Sequence, residues 1–268
     1  MTAPLSLTDL GAGRPLVFLH GWSVDRSFFD SQRSLALEGF RVMAPDLPGH
    51  GETPAGAGPT TMAGLADAVA DLLRRSAPGR TVLVGWSMGA TVALDLIARH
   101  GAQGIAGLVI VDMTPRVPNA PDWPFGLANG QTLAEALHAA ERMGTAWDRY
   151  APRIAQAMFA PGRNCGSQLV ARATERIARR DGTVMALIWR SLVEADHRAT
   201  IRSLPIPVLA IAGAESQLYR PDVAGWIAGH APDGRSSLVA GAGHAPHIER
   251  PDTFNALVAA FARDLPSP

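Results

Sequence analysis

The chain contains no lysine. All 24 basic side chains are arginine, and 24 acidic residues balance them to a formal net charge of zero. Without a basic surplus there is no compositional footprint for nucleic-acid or anionic-membrane binding, and neither partner is expected. Cysteine is nearly absent: Cys165 alone excludes an internal disulfide and a multi-cysteine metal site, and is expected to be an incidental thiol. No apolar run approaches the roughly 18 residues needed to span a bilayer. The start MTAPLSLTDLGAGRPLVFLHG shows no basic stretch ahead of an apolar one, so a cytoplasmic protein is expected. Cofactor signatures are missing too. GAGHAP does not match G-x-G-x-x-G, and His230, His244 and His247 lack the spacing of a tetrahedral site, so no cofactor and no metal are expected.

What is present suits one large domain, or a core with a modest insertion: 268 residues, 47% hydrophobic and 18% charged. Short runs that are mostly apolar on both faces recur along the chain (PLVFLH, FRVMAPD, TVLVGW, GLVIVD, PVLAIAG and RSSLVAG), as strands buried in a parallel sheet should be. Helical patterns over 60–76, 88–100 and 252–264 alternate with them, which predicts an α/β fold with a doubly wound, mostly parallel sheet. The alternation breaks after the fourth run. TPRVPNAPDWP carries four prolines, which forbid regular helix, and amphipathic helical patterns with no strand between them follow. The expected organisation is a core of residues 1–112 and 201–268 with a helical cap inserted at 113–200.

Chemistry enters at Gly85-Trp86-Ser87-Met88-Gly89, between a strand pattern and a helix pattern. In that setting G-x-S-x-G forms a sharp elbow that exposes the serine oxygen above the sheet, making Ser87 the candidate nucleophile. VFLHGWS ends the first apolar strand run. Its Trp22 N–H, with the N–H of Met88 after the serine, is placed to hold an oxyanion. His20 in the same run is expected to anchor a neighbouring loop, and DLPGHGETP (46–54) to be a structured loop that packs the site without doing chemistry. His244 follows the last strand in a glycine-rich turn, ahead of a helix opened by Pro251, and is the candidate base. His247, three residues on, is the rival, expected to be structural.

Together HGWS, DLPGHGET, GWSMGA and GAGHAPHIERP resemble the α/β-hydrolase fold superfamily over nearly the whole chain. HGW, GWSMG and GHAPHIERP are most similar to small carboxylesterases of the pimeloyl-carrier-protein methyl ester esterase type. The resemblance implies a serine carboxylester hydrolase. It also exposes a gap. Members usually carry an aspartate three residues after the glycine that closes the penultimate strand, and counting from Gly213 in GAESQLYRP reaches Ser216. A histidine that must become imidazolium needs a carboxylate to fix its tautomer. Asp112, at the tip of GLVIVD, is the first candidate, since some superfamily members, certain haloalkane dehalogenases among them, place their acid at that strand end. Neighbouring strand tips lie about 5 Å apart. Glu215 is the alternative acid. Asp196 and His197 are expected to tie the cap to the core.

The expected substrate is an ester with a small to medium acyl group, attacked through an acyl-enzyme. Trp123, Phe125, Trp147, Phe159 and Trp189 are the candidate pocket residues, with Met158 beside them. Residues 113–200 hold 11 arginines against 8 acidic residues, while the rest of the chain holds 13 against 16. That asymmetry admits an acidic acyl carrier protein as partner, or solvated helix faces carrying pairs such as Glu175 and Arg179. Lactonase or perhydrolase activity at the same site is the enzymatic alternative. A ligand-binding or signalling protein on the same fold is the non-catalytic one.

Overall fold

The computed structural model describes residues 4–77, 79–162 and 166–266, so Cys165 lies outside the described residues. Seven strands form one sheet: β1 (Leu7–Gly11), β2 (Arg14–Leu19), β3 (Phe40–Pro45), β4 (Thr81–Trp86), β5 (Ile105–Val111), β6 (Val208–Gly213) and β7 (Gly234–Val239). Their order is β1-β3-β2-β4-β5-β6-β7, with only the β1–β3 pair antiparallel. The central strands β4, β5 and β6 are buried at every position, which accounts for their unbroken apolar runs. LTDLG forms the edge strand β1 although the hydropathy pattern does not pick it out. Its residues are half-buried or exposed, and an edge strand with a wet face needs no apolar run.

Helices α1 (Met62–Ser76) and α2 (Met88–His100) lie in the first half of the chain, and α8 (Asp222–His230), α9 (Pro246–Glu249) and α10 (Pro251–Asp264) in the last part. α1 starts where Thr61 accepts the Gly64 N–H at 3.1 Å, and it buries Leu65, Val69 and Leu72 on one face. Between β5 and β6 the chain leaves the sheet for α3 (Leu133–Met143), α4 (Trp147–Ala157), α5 (Gly166–Ala178), α6 (Gly182–Glu194) and α7 (Arg198–Arg202). Thr132 and Glu135 close a capping box on α3, and Asp181 caps α6 through the Thr183 and Val184 N–H groups. Asp25 ties this helical excursion to the sheet layer. Its buried carboxylate accepts from the Arg180 guanidinium at 2.8 Å and from Arg176 at 3.3 Å. Among the described residues no helix is long and apolar enough to cross a membrane.

Candidate active site

The elbow at the tip of β4 is built from what its glycines lack. A Cβ on Gly85 would stand 2.5 Å from the Ala90 nitrogen, and one on Gly89 would strike the Leu19 carbonyl, so strand and helix meet this tightly only with hydrogen at both positions. Between them Ser87 is held at φ 52° and ψ −123°, a conformation that L side chains avoid. The Ser87 N–H donates to Val111 O at 3.0 Å, and the Asp112 N–H to Ile211 O at 2.7 Å. Sheet hydrogen bonding thus places the ends of β4, β5 and β6 side by side.

Asp112 directly follows β5 at φ 43°, again left-handed without being glycine. Its side chain, 1% exposed, receives three donors: His244 Nδ1 at 2.7 Å and the Ser216 hydroxyl at 2.6 Å on Oδ2, and the Gly213 N–H at 3.3 Å on Oδ1. Glu215, by contrast, lies exposed with its N–H on Ala242 O. The structure therefore brings Asp112, rather than Glu215, to His244. With Nδ1 donating to the carboxylate, Nε2 is the unprotonated nitrogen of the neutral ring and can accept a proton from a hydroxyl.

The turn carrying His244 is braced on several sides. Trp86 Nε1 donates to the His244 carbonyl at 2.7 Å, linking the residue before Ser87 to that turn. The Glu249 carboxylate accepts the Gly243 N–H at 2.6 Å and the Ala160 N–H at 2.8 Å, and the Ala245 N–H donates to Met158 O at 3.1 Å. Tyr219 lies buried beside His244, ring centroids 5.7 Å apart; burial first and the charge of Asp112 second raise its pKa and keep the phenol protonated. Sequence reasoning missed Glu249, Tyr219 and the Ser216 bond. Glu249 sits inside the quoted GHAPHIERP segment, but no spacing rule marks a glutamate that reaches backward to its own turn.

His247 is fully buried against Phe29, Trp86 and Phe254, with neither ring nitrogen hydrogen-bonded. Burial first, and the neighbouring His244 second, push its pKa well below the histidine range. His20 binds the 46–54 loop. Its Nε2 accepts the Leu47 N–H at 3.0 Å, and its Nδ1 faces Gly21 O at 2.8 Å. His50 in turn accepts the Ser23 N–H at 3.2 Å. Asp46 in that loop pairs with Arg26 and accepts the Glu52 N–H at 2.8 Å.

Trp22 follows Gly21, where an added Cβ would lie 3.4 Å from Ser87 Cβ, so this backbone passes directly over the serine. Met88 is the first residue of α2 and has no intrahelical acceptor for its N–H. The five aromatic pocket candidates divide. Trp147 and Trp189 flank the Trp22 indole, at centroid distances of 5.5 and 4.9 Å, and Trp22 Nε1 donates to Met185 O on α6 at 3.0 Å. Phe159 packs next to the His244 turn, its carbonyl accepting from Gln217 Nε2 at 2.8 Å. Trp123 and Phe125 go elsewhere: Trp123 packs on Trp226 of α8, and Arg198 and Arg220 cover the two rings. Proline turns carry that segment away from the site, which aromatic content alone does not reveal. Asp196 pairs with Arg198 and bridges Arg116, and His197 lies buried, 4.0 Å from Asp95 of α2.

Ser87 on its strained elbow and the carboxylate-bound His244 are thus joined through the Trp86–His244 bond, with the Gly21 backbone passing over the serine. Residues 16–257 match the model of the Alpha/beta hydrolase family. The chain belongs to that family. As an α/β hydrolase it is 31% identical over 248 residues to a pimeloyl-[acyl-carrier protein] methyl ester esterase of Aromatoleum aromaticum, covering 91% of this chain and 96% of the relative. It is 27% identical over 265 residues to the protein of the same name from Nitrosospira multiformis, covering 97% and 98% of the two chains. Among solved structures, an esterase from Exiguobacterium antarcticum superposes with a TM-score of 0.88 at 19% identity, covering 97% of this chain and 96% of that one. This α/β hydrolase is an enzyme of the esterase type.

Proposed function

We propose that the protein is a serine carboxylester hydrolase that works through an acyl-enzyme. Ser87 attacks the ester carbonyl while His244 Nε2 takes its proton. The carbonyl oxygen becomes an oxyanion held by the Trp22 and Met88 N–H groups, and collapse expels the alcohol, protonated by His244. Water then repeats the sequence and releases the acid. Asp112 holds Nδ1–H and offsets the imidazolium charge at each step. The observation that carries this assignment is the 2.7 Å contact between Asp112 and His244 Nδ1, a buried pair contributed by elements 132 residues apart.

The helical excursion 113–200 acts as the cap. A cavity of about 320 Å³ lies between the Arg26–Glu38 segment and α5, lined by Phe28, Phe159, Leu169 and Ile248, with Arg172 and Arg176 at its rim. Phe28, which lines the cavity, stacks on Trp86 of the elbow at 5.8 Å. An apolar acyl chain suits that lining, and the two guanidinium groups suit anionic groups of a carrier that bears it. The two relatives are named as esterases of pimeloyl-[acyl-carrier protein] methyl ester, and exposed Arg142, Arg149, Arg153 and Arg172 on the cap fit an acidic carrier. The substrate proposed is therefore the methyl ester of a dicarboxylic acyl chain, presented on such a carrier.

The test pairs fluorophosphonate labelling with turnover of short p-nitrophenyl esters and of pimeloyl methyl ester, free and carrier-linked. Labelling that disappears in Ser87→Ala, together with preference for the carrier-linked ester, is the expected result. No labelling and no turnover would remove the enzyme mechanism. Equal kcat/KM for free and carrier-linked ester would remove the carrier alone.

A further inference from the structure

Ser216 occupies the loop position from which a carboxylate would otherwise be expected, yet its hydroxyl is not idle. It donates at 2.6 Å to Asp112 Oδ2, the same oxygen that receives His244 Nδ1. The Tyr219 N–H, 3.5 Å from Ser216 Oγ, faces the oxygen's lone pairs and leaves its proton directed at Asp112. The loop itself is pinned: the Ala214 N–H donates to Val239 O at 3.0 Å, that of Glu215 to Ala242 O at 2.9 Å and that of Ser216 to Gly213 O at 3.2 Å. These bonds tie it to β7 and to the turn that carries His244.

We propose that Ser216 is a positioning residue, fixing the rotamer of the Asp112 carboxylate and withdrawing part of its charge from His244, and that position 216 can itself take over as the acid. This rests on the mechanism assigned above. Asp112 needs such support because its backbone is left-handed and its carboxylate is buried, so every donor lost leaves Oδ2 less constrained. Position 216 can substitute because its side-chain oxygen already stands one hydrogen bond from the atom that binds Nδ1. An aspartate there extends one atom further toward the ring.

The titratable groups around the His244 ring are Asp112 just after β5, Tyr219 from the loop after β6 and His247 from α9. Among these side chains Ser216 is hydrogen-bonded to the Asp112 carboxylate, and it meets Tyr219 through that residue's backbone N–H. Removing its hydroxyl returns carboxylate charge to Nδ1–H and favours the imidazolium. The experiment follows His244 titration by NMR of its Cε1–H in wild type, Ser216→Ala and Ser216→Thr, a readout independent of any substrate. Ester turnover is measured in the same proteins and in Asp112→Asn and Asp112→Asn/Ser216→Asp. Ser216→Ala should raise the His244 titration by about half a unit, move the acidic limb of kcat/KM with it and lower kcat about three- to ten-fold at unchanged KM. Ser216→Thr should behave as wild type, and the double variant should recover at least about ten-fold over Asp112→Asn. A folded Ser216→Ala with wild-type titration and kcat, or with a lowered titration, overturns the proposal. A double variant as inactive as Asp112→Asn, with a cooperative thermal transition, overturns the substitution claim. Absent turnover in wild type would instead count against the esterase mechanism, leaving the NMR comparison to decide the role of Ser216.

Discussion

Asparagine at position 112 is nearly isosteric with the aspartate, so its effect isolates charge and proton direction. Three donors converge on the Asp112 carboxylate, from His244, Ser216 and Gly213. A carboxamide offers one acceptor atom in place of two, so its NH₂ must face at least one donor. If it faces His244, the ring turns over its tautomer: Nδ1 accepts, Nε2 carries the hydrogen, and Ser87 loses its base. The oxyanion donors and the binding surface are left intact. A tautomer defect of this kind costs about 10⁴ in turnover, or roughly 5 kcal/mol in the barrier at about 1.4 kcal/mol per decade. Glu215→Gln changes an exposed side chain whose backbone alone is bonded. It should leave kcat within about two-fold, as surface changes usually do. Initial rates of p-nitrophenyl butyrate hydrolysis, normalised to active protein by a cooperative melting transition, decide between them. Collapse of turnover in Glu215→Gln, or more than about one per cent of wild-type kcat remaining in Asp112→Asn, would refute the assignment.

Gly89→Ala places a methyl group against the Leu19 carbonyl, so the elbow must open. A loss of about 3 kcal/mol or more in denaturant stability, or a chain that fails to fold, is expected, and a stable active variant would contradict the packing argument. Glu249→Ala strands the Gly243 and Ala160 N–H groups. It should cost about 2–3 kcal/mol in urea unfolding and depress kcat more than KM rises, because the His244 turn loses its brace. His20, His50 and His247 all titrate below the ordinary histidine value, chiefly through burial. The unfolded chain therefore binds protons that the native state refuses. Stability from these groups is complete above about pH 6.5 and declines as pH falls below it, by up to about 1.4 kcal/mol per pH unit for each histidine. Urea midpoints measured from pH 7.5 to 5.0 check this, and His247→Phe should flatten the slope.

Ser87 and Asp112 are legible as candidates in the sequence because each directly follows a strand with an unbroken apolar run, whereas His244 lies beyond the largely exposed β7 and is marked by its glycine-rich turn. TVLVGW, GLVIVD and PVLAIAG are apolar on both faces since β4, β5 and β6 are covered on both sides. The edge strand β1 is silent in the sequence for the opposite reason: LTDLG has a wet face and carries no apolar period. The aromatic inventory of residues 113–200 was visible, but its division was not. Trp147 and Trp189 reach Trp22, whereas Trp123 is claimed by Trp226 and Arg198, partners 103 and 75 positions away.

The residue sequence by itself determined the alternation of strands and helices, the glycine elbow around Ser87 and a histidine after the last strand. Those features follow from side-chain period and from local steric limits, which act over a few residues. Only the tertiary structure decided which carboxylate meets His244. Asp112 and Glu215 are equally charged, and the sequence ranks Asp112 first only through its place at a strand tip. The pairing of β5 with β6 aims Asp112 into the buried space under the ring, while the loop after Gly213 turns Glu215 to solvent and offers Ser216 in its place. Side-chain direction at a strand tip is set by strands that meet from distant parts of the chain, and no local pattern encodes it.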